Sequence, residues 1–215
     1  MRLLAAVPTL VGIIVVTFAL TRLLPGDPAA FFAGPAATEQ SIAEQFATYV
    51  RDLARGDLGT SLTSGQAVVD DLRTRLPASL ELTFGALLLA AGIGIPLGVG
   101  AALRPGGGVD RLCSFVSTVG QAVPTFFLGL MLVFVFYYLL GWAPAPLGRL
   151  DIVYSSPDEI TGFWSIDTAL AGDWETFRAV IAQLTLPVVT LGLFGLGPLA
   201  RITRATMIVV LAGDF

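Results

Sequence analysis

The placement of charges constrains this chain more than any other feature of its sequence. Between Arg2 and Arg22 lie 19 residues without a charge, between Glu81 and Arg104 lie 22, between Arg111 and Arg149 lie 37, and between Arg178 and Arg201 lie 22. A charge at the bilayer centre costs about 2.5–3.5 kcal/mol on insertion scales. A helix rising about 1.5 Å per residue crosses a hydrocarbon core of about 30 Å in roughly 20 residues. Three of the stretches therefore fit one span each. The longest is polar at Ser114, Ser117, Thr118 and Gln121, then apolar from Phe126 to Leu140, and it closes with Tyr137, Tyr138 and Trp142, residues that favour the membrane interface. It reads as one span followed by the proline-rich exit Trp142-Ala143-Pro144-Ala145-Pro146. The predicted fold class is all-α and integral to a membrane, with transmembrane helices at about 3–21, 80–103, 114–141 and 179–200. A cleaved signal peptide is the alternative for the first stretch. Its apolar run is too long for one, and Arg22 stands where small residues should be, so a retained helix is preferred.

Four spans put both ends of the chain on one side. If that side is cytoplasmic, the inner segments 1–2, 104–111 and 201–215 hold five arginines in few residues, while the outer segments hold fourteen of the sixteen acids. The arginine density follows the positive-inside rule. The same inventory excludes several functions. A net charge of −4 leaves no basic field for a nucleic-acid backbone. One cysteine, Cys113, and no histidine remove the usual disulfide, metal ligand and general base. Without lysine no phosphate-binding P-loop can be written, and Gly192, Gly195 and Gly197 have the wrong order for a dinucleotide fingerprint. No enzyme, metal site or cofactor is expected.

Outside the spans, Ser41 and Glu44 have capping-box spacing. Ile42, Phe46, Tyr49, Val50 and Leu53 then recur at helical spacing up to Gly56, which predicts a short amphipathic helix over about 42–55. Val68, Val69, Leu72 and Leu76 predict a second, closed by Pro77. Segment 142–178, with Trp164 and Trp174 among six acids, exceeds an ordinary connection and reads as a cap or insert. Inside the spans, prolines interrupt the helical ladder at Pro96, Pro124, Pro187 and Pro198. Each removes a backbone donor and leaves a carbonyl in need of a partner, a state tolerated in a membrane beside protein or a wet cavity. Such breaks occur near transport paths, although proline and glycine also serve plain helix packing. The candidate path residues are Pro96, Gln121, Pro124, Thr125 and Pro187.

Seven strings, in order, resemble the inner-membrane permease subunits of bacterial ABC importers for dipeptides, oligopeptides and nickel. They are Leu24-Pro25-Gly26-Asp27-Pro28, Arg55-Gly56-Asp57-Leu58-Gly59-Thr60-Ser61, Arg75-Leu76-Pro77-Ala78-Ser79-Leu80-Glu81-Leu82, Ala122-Val123-Pro124-Thr125-Phe126, Asp167-Thr168-Ala169-Leu170-Ala171-Gly172-Asp173, Leu186-Pro187, and Leu199-Ala200-Arg201-Ile202-Thr203-Arg204. The resemblance implies one permease transmembrane domain over 1–215, the N-terminal part of a six-span unit, with external segments 22–79 and 142–178. It implies a peptide or nickel path through a multi-pass protein of the bacterial inner membrane, with both termini cytoplasmic. The implied partners are a second permease, two cytoplasmic ATPases, an external substrate-binding protein and membrane lipid. Arg201, Arg204, Met207, Asp214 and Phe215 resemble the approach to the loop that docks on an ATPase, so charge reversal at Arg204 is expected to weaken ATPase association. Two departures stand out: a shorter stretch between Ser41 and Phe46, and an end at Phe215 before the coupling helix and last two spans. These predict a truncated permease, with a non-transporting scaffold as the alternative.

Overall fold

The computed structural model describes residues 2–22, 42–61 and 63–213. The Leu24–Pro28 string, Ser41, Asp214 and Phe215 lie outside the described residues. The regular secondary structure of the described residues is helical, joined by turns and irregular segments, with one isolated β-bridge between Thr60 and Ala67.

The chain forms two units, Met1–Arg73 and Thr74–Phe215. In the first, α1 (Arg2–Arg22) covers the first charge-free stretch and α2 (Ile42–Ala54) is the expected amphipathic helix. Phe18 of α1 is buried against Phe46 and Tyr49 of α2, with ring centroids 5.1 and 5.8 Å away. Gly56 follows α2 at φ +81°, the left-handed geometry that ends helices cheaply only at glycine. Asp57 then accepts from the Gly59 N–H at 2.8 Å, and Ser64 donates its hydroxyl to Asp71 at 2.6 Å. Within the Arg55–Ser61 string, Asp57 is thereby spent on its own turn, and the Ser61 hydroxyl oxygen accepts from the Ser64 N–H at 3.3 Å.

α3 (Val68–Leu103) departs from the expected division into a short helix and a span. It runs without interruption through Pro77. The proline leaves the carbonyl of Arg73 without its helical donor, and Arg73 is solvent-exposed, so water can take the vacant place.

In the second unit, α4 (Gly108–Ala122) and α5 (Thr125–Leu132) replace the single span expected over 114–141, and a π-helical continuation, Val133–Leu139, extends α5. The axis bends by 102° at Val123–Pro124. Val123 is extended, at φ −90° and ψ 122°, because a residue before proline is pushed out of helical geometry. α6 (Trp164–Leu170) lies within the insert 142–178, and α7 (Trp174–Ala212) starts in that insert and contains the fourth stretch. Its start is capped by Asp173, which accepts from the N–H and hydroxyl of Thr176 at 3.0 and 2.5 Å. α4, α5 and α6 all pack on α7.

Among the described residues, α3 and α7 are long and apolar enough to cross a membrane, and the bent pair α4–α5 makes a third candidate. Large apolar side chains such as Phe84, Leu88, Leu130 and Val209 are 59–72% exposed on these helices, as a lipid-facing surface requires. The core is made of small residues: Ala101, Cys113 and Ala200, each at most 1% exposed, with Leu97 packed against them.

Candidate translocation site

Small residues let the backbones in this unit nearly touch. On α3, an ideal Cβ at Gly94 would stand 3.2 Å from the Leu196 carbonyl oxygen, and one at Gly98 would stand 2.6 Å from that of Ala200. On α7, a Cβ at Gly197 would approach Ser117 Cα of α4 at 3.1 Å. Apolar lipid supplies no hydrophobic drive between membrane helices, so close van der Waals packing of this kind does most of the holding. Ser117 adds a hydrogen bond from its hydroxyl to the Gly197 carbonyl, at 2.9 Å.

Farther along α7 the helices part. A cavity of about 510 Å³ opens between α5, α7 and the proline-rich strap, residues 142–148. Thr125, Phe126, Gly129 and Val133 line one side, Gln183, Leu186, Pro187 and Thr190 the other, and Pro144, Pro146 and Gly148 of the strap border it. Two of the five candidate path residues, Thr125 and Pro187, therefore meet at one cavity. The other three lie elsewhere. Gln121 turns back to donate to the Ser117 carbonyl at 3.2 Å, and Pro124 and Pro96 are exposed without lining the cavity.

Gln183 is not among the five candidate path residues. It is 7% exposed, lines the cavity, and donates its Nε2 to the carbonyl of Ala145 at 3.0 Å, tying the strap to α7. A signal existed: a carboxamide inside a charge-free span must find a partner or lose its desolvation energy. No side chain lining this cavity carries a formal charge, so it can sort solutes by shape and hydrogen bonding.

A cluster of charged side chains lies at each end of α7. At the end nearer Trp174, Glu81 of α3 accepts from Arg149 Nη2 at 3.1 Å and from the Ser165 N–H at 2.8 Å. Arg149 also donates to the Gly162 carbonyl at 3.0 Å and lies 4.1 Å from the centroid of the Trp164 ring. Asp167, 1% exposed, accepts from the Thr161 N–H and hydroxyl at 2.9 and 2.6 Å and from the Gly162 N–H at 3.0 Å. Burial pushes the Asp167 carboxyl up, but these donors and the Ile160 N–H outweigh it and hold the group below the ordinary aspartate value. Asp173 is lowered too, by the Thr176 hydroxyl first and its N–H second.

At the other end, Arg204 grips Asp110 of α4 with two hydrogen bonds, Nε to Oδ1 at 2.5 Å and Nη2 to Oδ2 at 2.9 Å. Arg201 is exposed and reaches the Ser117 carbonyl at 3.4 Å, and Met207 is half-buried.

Residues 94–215 match the family described as binding-protein-dependent transport system inner membrane component. The chain is 40% identical to the probable D,D-dipeptide transport system permease protein DdpB of Escherichia coli, over 95% of this chain and 64% of that protein. It is 37% identical to the di/tripeptide transport system permease protein DppB of Pseudomonas aeruginosa, over 100% of this chain and 67% of the relative. With the dipeptide transport system permease protein DppB of Escherichia coli it shares 34%, over 100% and 68%. The chain thus spans about two thirds of the length of these curated relatives. On this match, the chain belongs to the family of binding-protein-dependent transport system inner membrane components and is a transporter permease component, not an enzyme.

Proposed function

We propose that this chain forms part of the translocation path of an ABC importer for peptides or a related small solute, working with a second permease, two cytoplasmic ATPases and an external binding protein. The observation that carries the reading is the uncharged cavity between α5, the strap and α7, which lies largely in the stretch that matches the family. The peptide-transport names of the relatives support the substrate class.

In this reading α1 is a fourth span, supported by its apolar run Ala6–Leu20. Segments 104–111 and 201–213 face the cytoplasm, and the Glu81–Arg149 cluster faces outward. α3 and α7 run in the same direction, since Gly85 meets Val188 and Gly98 meets Thr203, whereas α4 runs against α7, since Asp110 meets Arg204 and Ser117 meets Gly197. That alternation supports successive crossings of a bilayer. Thr125 and Pro187, with Gln183, contact solute, while Gln121, Pro124 and Pro96 shape the helices around it. Arg201, Arg204 and Met207 lie on the approach to the ATPases.

The test is aqueous access. Cys113 is 1% exposed and serves as an internal negative control. A Thr190→Cys variant in the assembled importer should react with a charged thiol reagent, and peptide should protect it. Absence of labelling with and without peptide and ATP refutes the path.

A further inference from the structure

We propose that Asp110 is a positioning residue for energy coupling, clamping Arg204 so that α4 and α7 move as one lever between the inner end of α7 and the Val123–Pro124 break. The role rests on the permease reading above, but the clamp can be tested without it.

Asp110 is the single acid between Glu81 and Asp151, and it stands in the first turn of α4 at 7% exposure. A buried carboxylate loses stability unless its oxygens are paired, and here both are. Arg204 engages the two oxygens as a fork, and Oδ2 also accepts the Gly106 N–H at 2.8 Å. The turn before α4, α4 itself and α7 are thereby joined at one carboxylate. A planar fork of this kind fixes orientation as well as distance. The guanidinium of Arg204 is thus committed within the chain, so its influence on a docked ATPase passes through the position of α7.

About 10 Å farther along α4, seven residues at 1.5 Å each, a second lock repeats the first. Ser117 donates to the Gly197 carbonyl and accepts from Arg201, and the backbones touch at Gly197. Sliding between α4 and α7 would break both locks together. The regular helical ladder is interrupted beyond them. The Val123 N–H still reaches the Val119 carbonyl, Pro124 has no N–H, and α5 starts afresh with Leu128 donating to the Pro124 carbonyl at 3.1 Å. A displacement of the inner end of α7 is therefore carried by α4 to a joint. Thr125 and Gly129, just past that joint, line the cavity.

The test uses the complete permease with its ATPases in proteoliposomes, measuring peptide uptake and ATP hydrolysis together. Asp110→Asn keeps the side-chain volume and one acceptor. It should leave ATPase co-purification intact and lower the uptake per ATP about fivefold or more, the lower edge of ordinary coupling energies. The exchange variant, Asp110→Arg with Arg204→Asp, should recover most of that ratio. An unchanged ratio in Asp110→Asn overturns the proposal. So does loss of ATPases from Arg204→Asp that the exchange does not restore, because Arg204 would then be a direct contact. Amide exchange on the chain alone keeps the two readings apart. Asp110→Asn should speed exchange along Val119–Leu128, and the exchange variant should slow it again. If wild-type vesicles take up no peptide the permease reading falls, while unchanged amide exchange in Asp110→Asn removes the clamp whatever the vesicles do.

Discussion

Gly98→Ala tests the packing seam with a single carbon. The added Cβ would stand 2.6 Å from the Ala200 carbonyl oxygen and 2.7 Å from Thr203 Cβ, where ordinary contacts sit at about 3.5–4.0 Å. The carbonyl belongs to the backbone of α7 and has no rotamer to change, so α3 and α7 must separate by roughly 1 Å, a gap that forfeits up to about half of each contact's dispersion energy. Overfilled sites of this kind cost about 1–3 kcal/mol. Alanine also returns about 1 kcal/mol of helix propensity over glycine, so the net loss is roughly 0–2 kcal/mol. Gly92→Ala, where nothing lies within 4 Å, has the propensity term without the clash. The two variants should differ by about 1–3 kcal/mol, which for a chain of this length is roughly 2–12 °C in midpoint. Thermal unfolding of both in one detergent, followed by helical circular dichroism, reads the difference. Equal midpoints, or a more stable Gly98→Ala, would refute the argument that backbone contact at Gly98 holds the helices together.

Gln183→Leu removes the donor to Ala145 and should raise amide exchange across the strap 142–148; the lost bond is worth about 1 kcal/mol, and unchanged exchange counts against the tether. Arg149→Met leaves Glu81 without its cation and should destabilise the segment around Gly162 by about 1–3 kcal/mol, seen as faster proteolysis there and altered Trp164 fluorescence. The Thr161–Asp167 cap should be insensitive to pH between neutrality and the ordinary aspartate range. Because the folded value lies below the unfolded one, its stabilisation is fully present above the unfolded value and disappears as pH falls through the folded value. Exchange of the Thr161 and Gly162 amides, corrected for intrinsic rate, should show that onset, and loss already near neutral pH would contradict it.

The spans were legible because a charge in lipid is expensive, and charges can be counted along a sequence. Stretch 179–200 falls wholly within α7, and the amphipathic pattern after Ser41 became α2. Prolines were harder to read. Pro77 was expected to end a helix and does not, whereas Pro124 was placed inside one span and marks a 102° bend. One proline removes the same donor in both cases, yet Leu76 stays helical before Pro77 while Val123 is extended before Pro124, and the local sequence does not tell the two apart. The polar pairs were invisible for the same reason. Glu81 and Arg149 are 68 residues apart and Asp110 and Arg204 are 94 apart, distances at which no periodicity reports contact. The path residues divide likewise: Thr125 and Pro187 share a cavity, while Gln121, chosen for its polarity, spends its amide on its own helix.

If the cavity between α5, the strap and α7 carries solute, filling it must stop uptake. Accumulation of a labelled dipeptide by host cells lacking the gene, complemented with wild type or with Gly129→Phe, tests it most directly. Gly129 lines the cavity, and a Cβ there would meet Thr190 Cγ2 at 3.4 Å, so a phenyl ring projects into the space. Deletion should abolish uptake, wild type should restore it, and Gly129→Phe should reach the membrane at normal level without restoring it. Full uptake with the cavity filled, or uptake indifferent to the deletion, would contradict the claim.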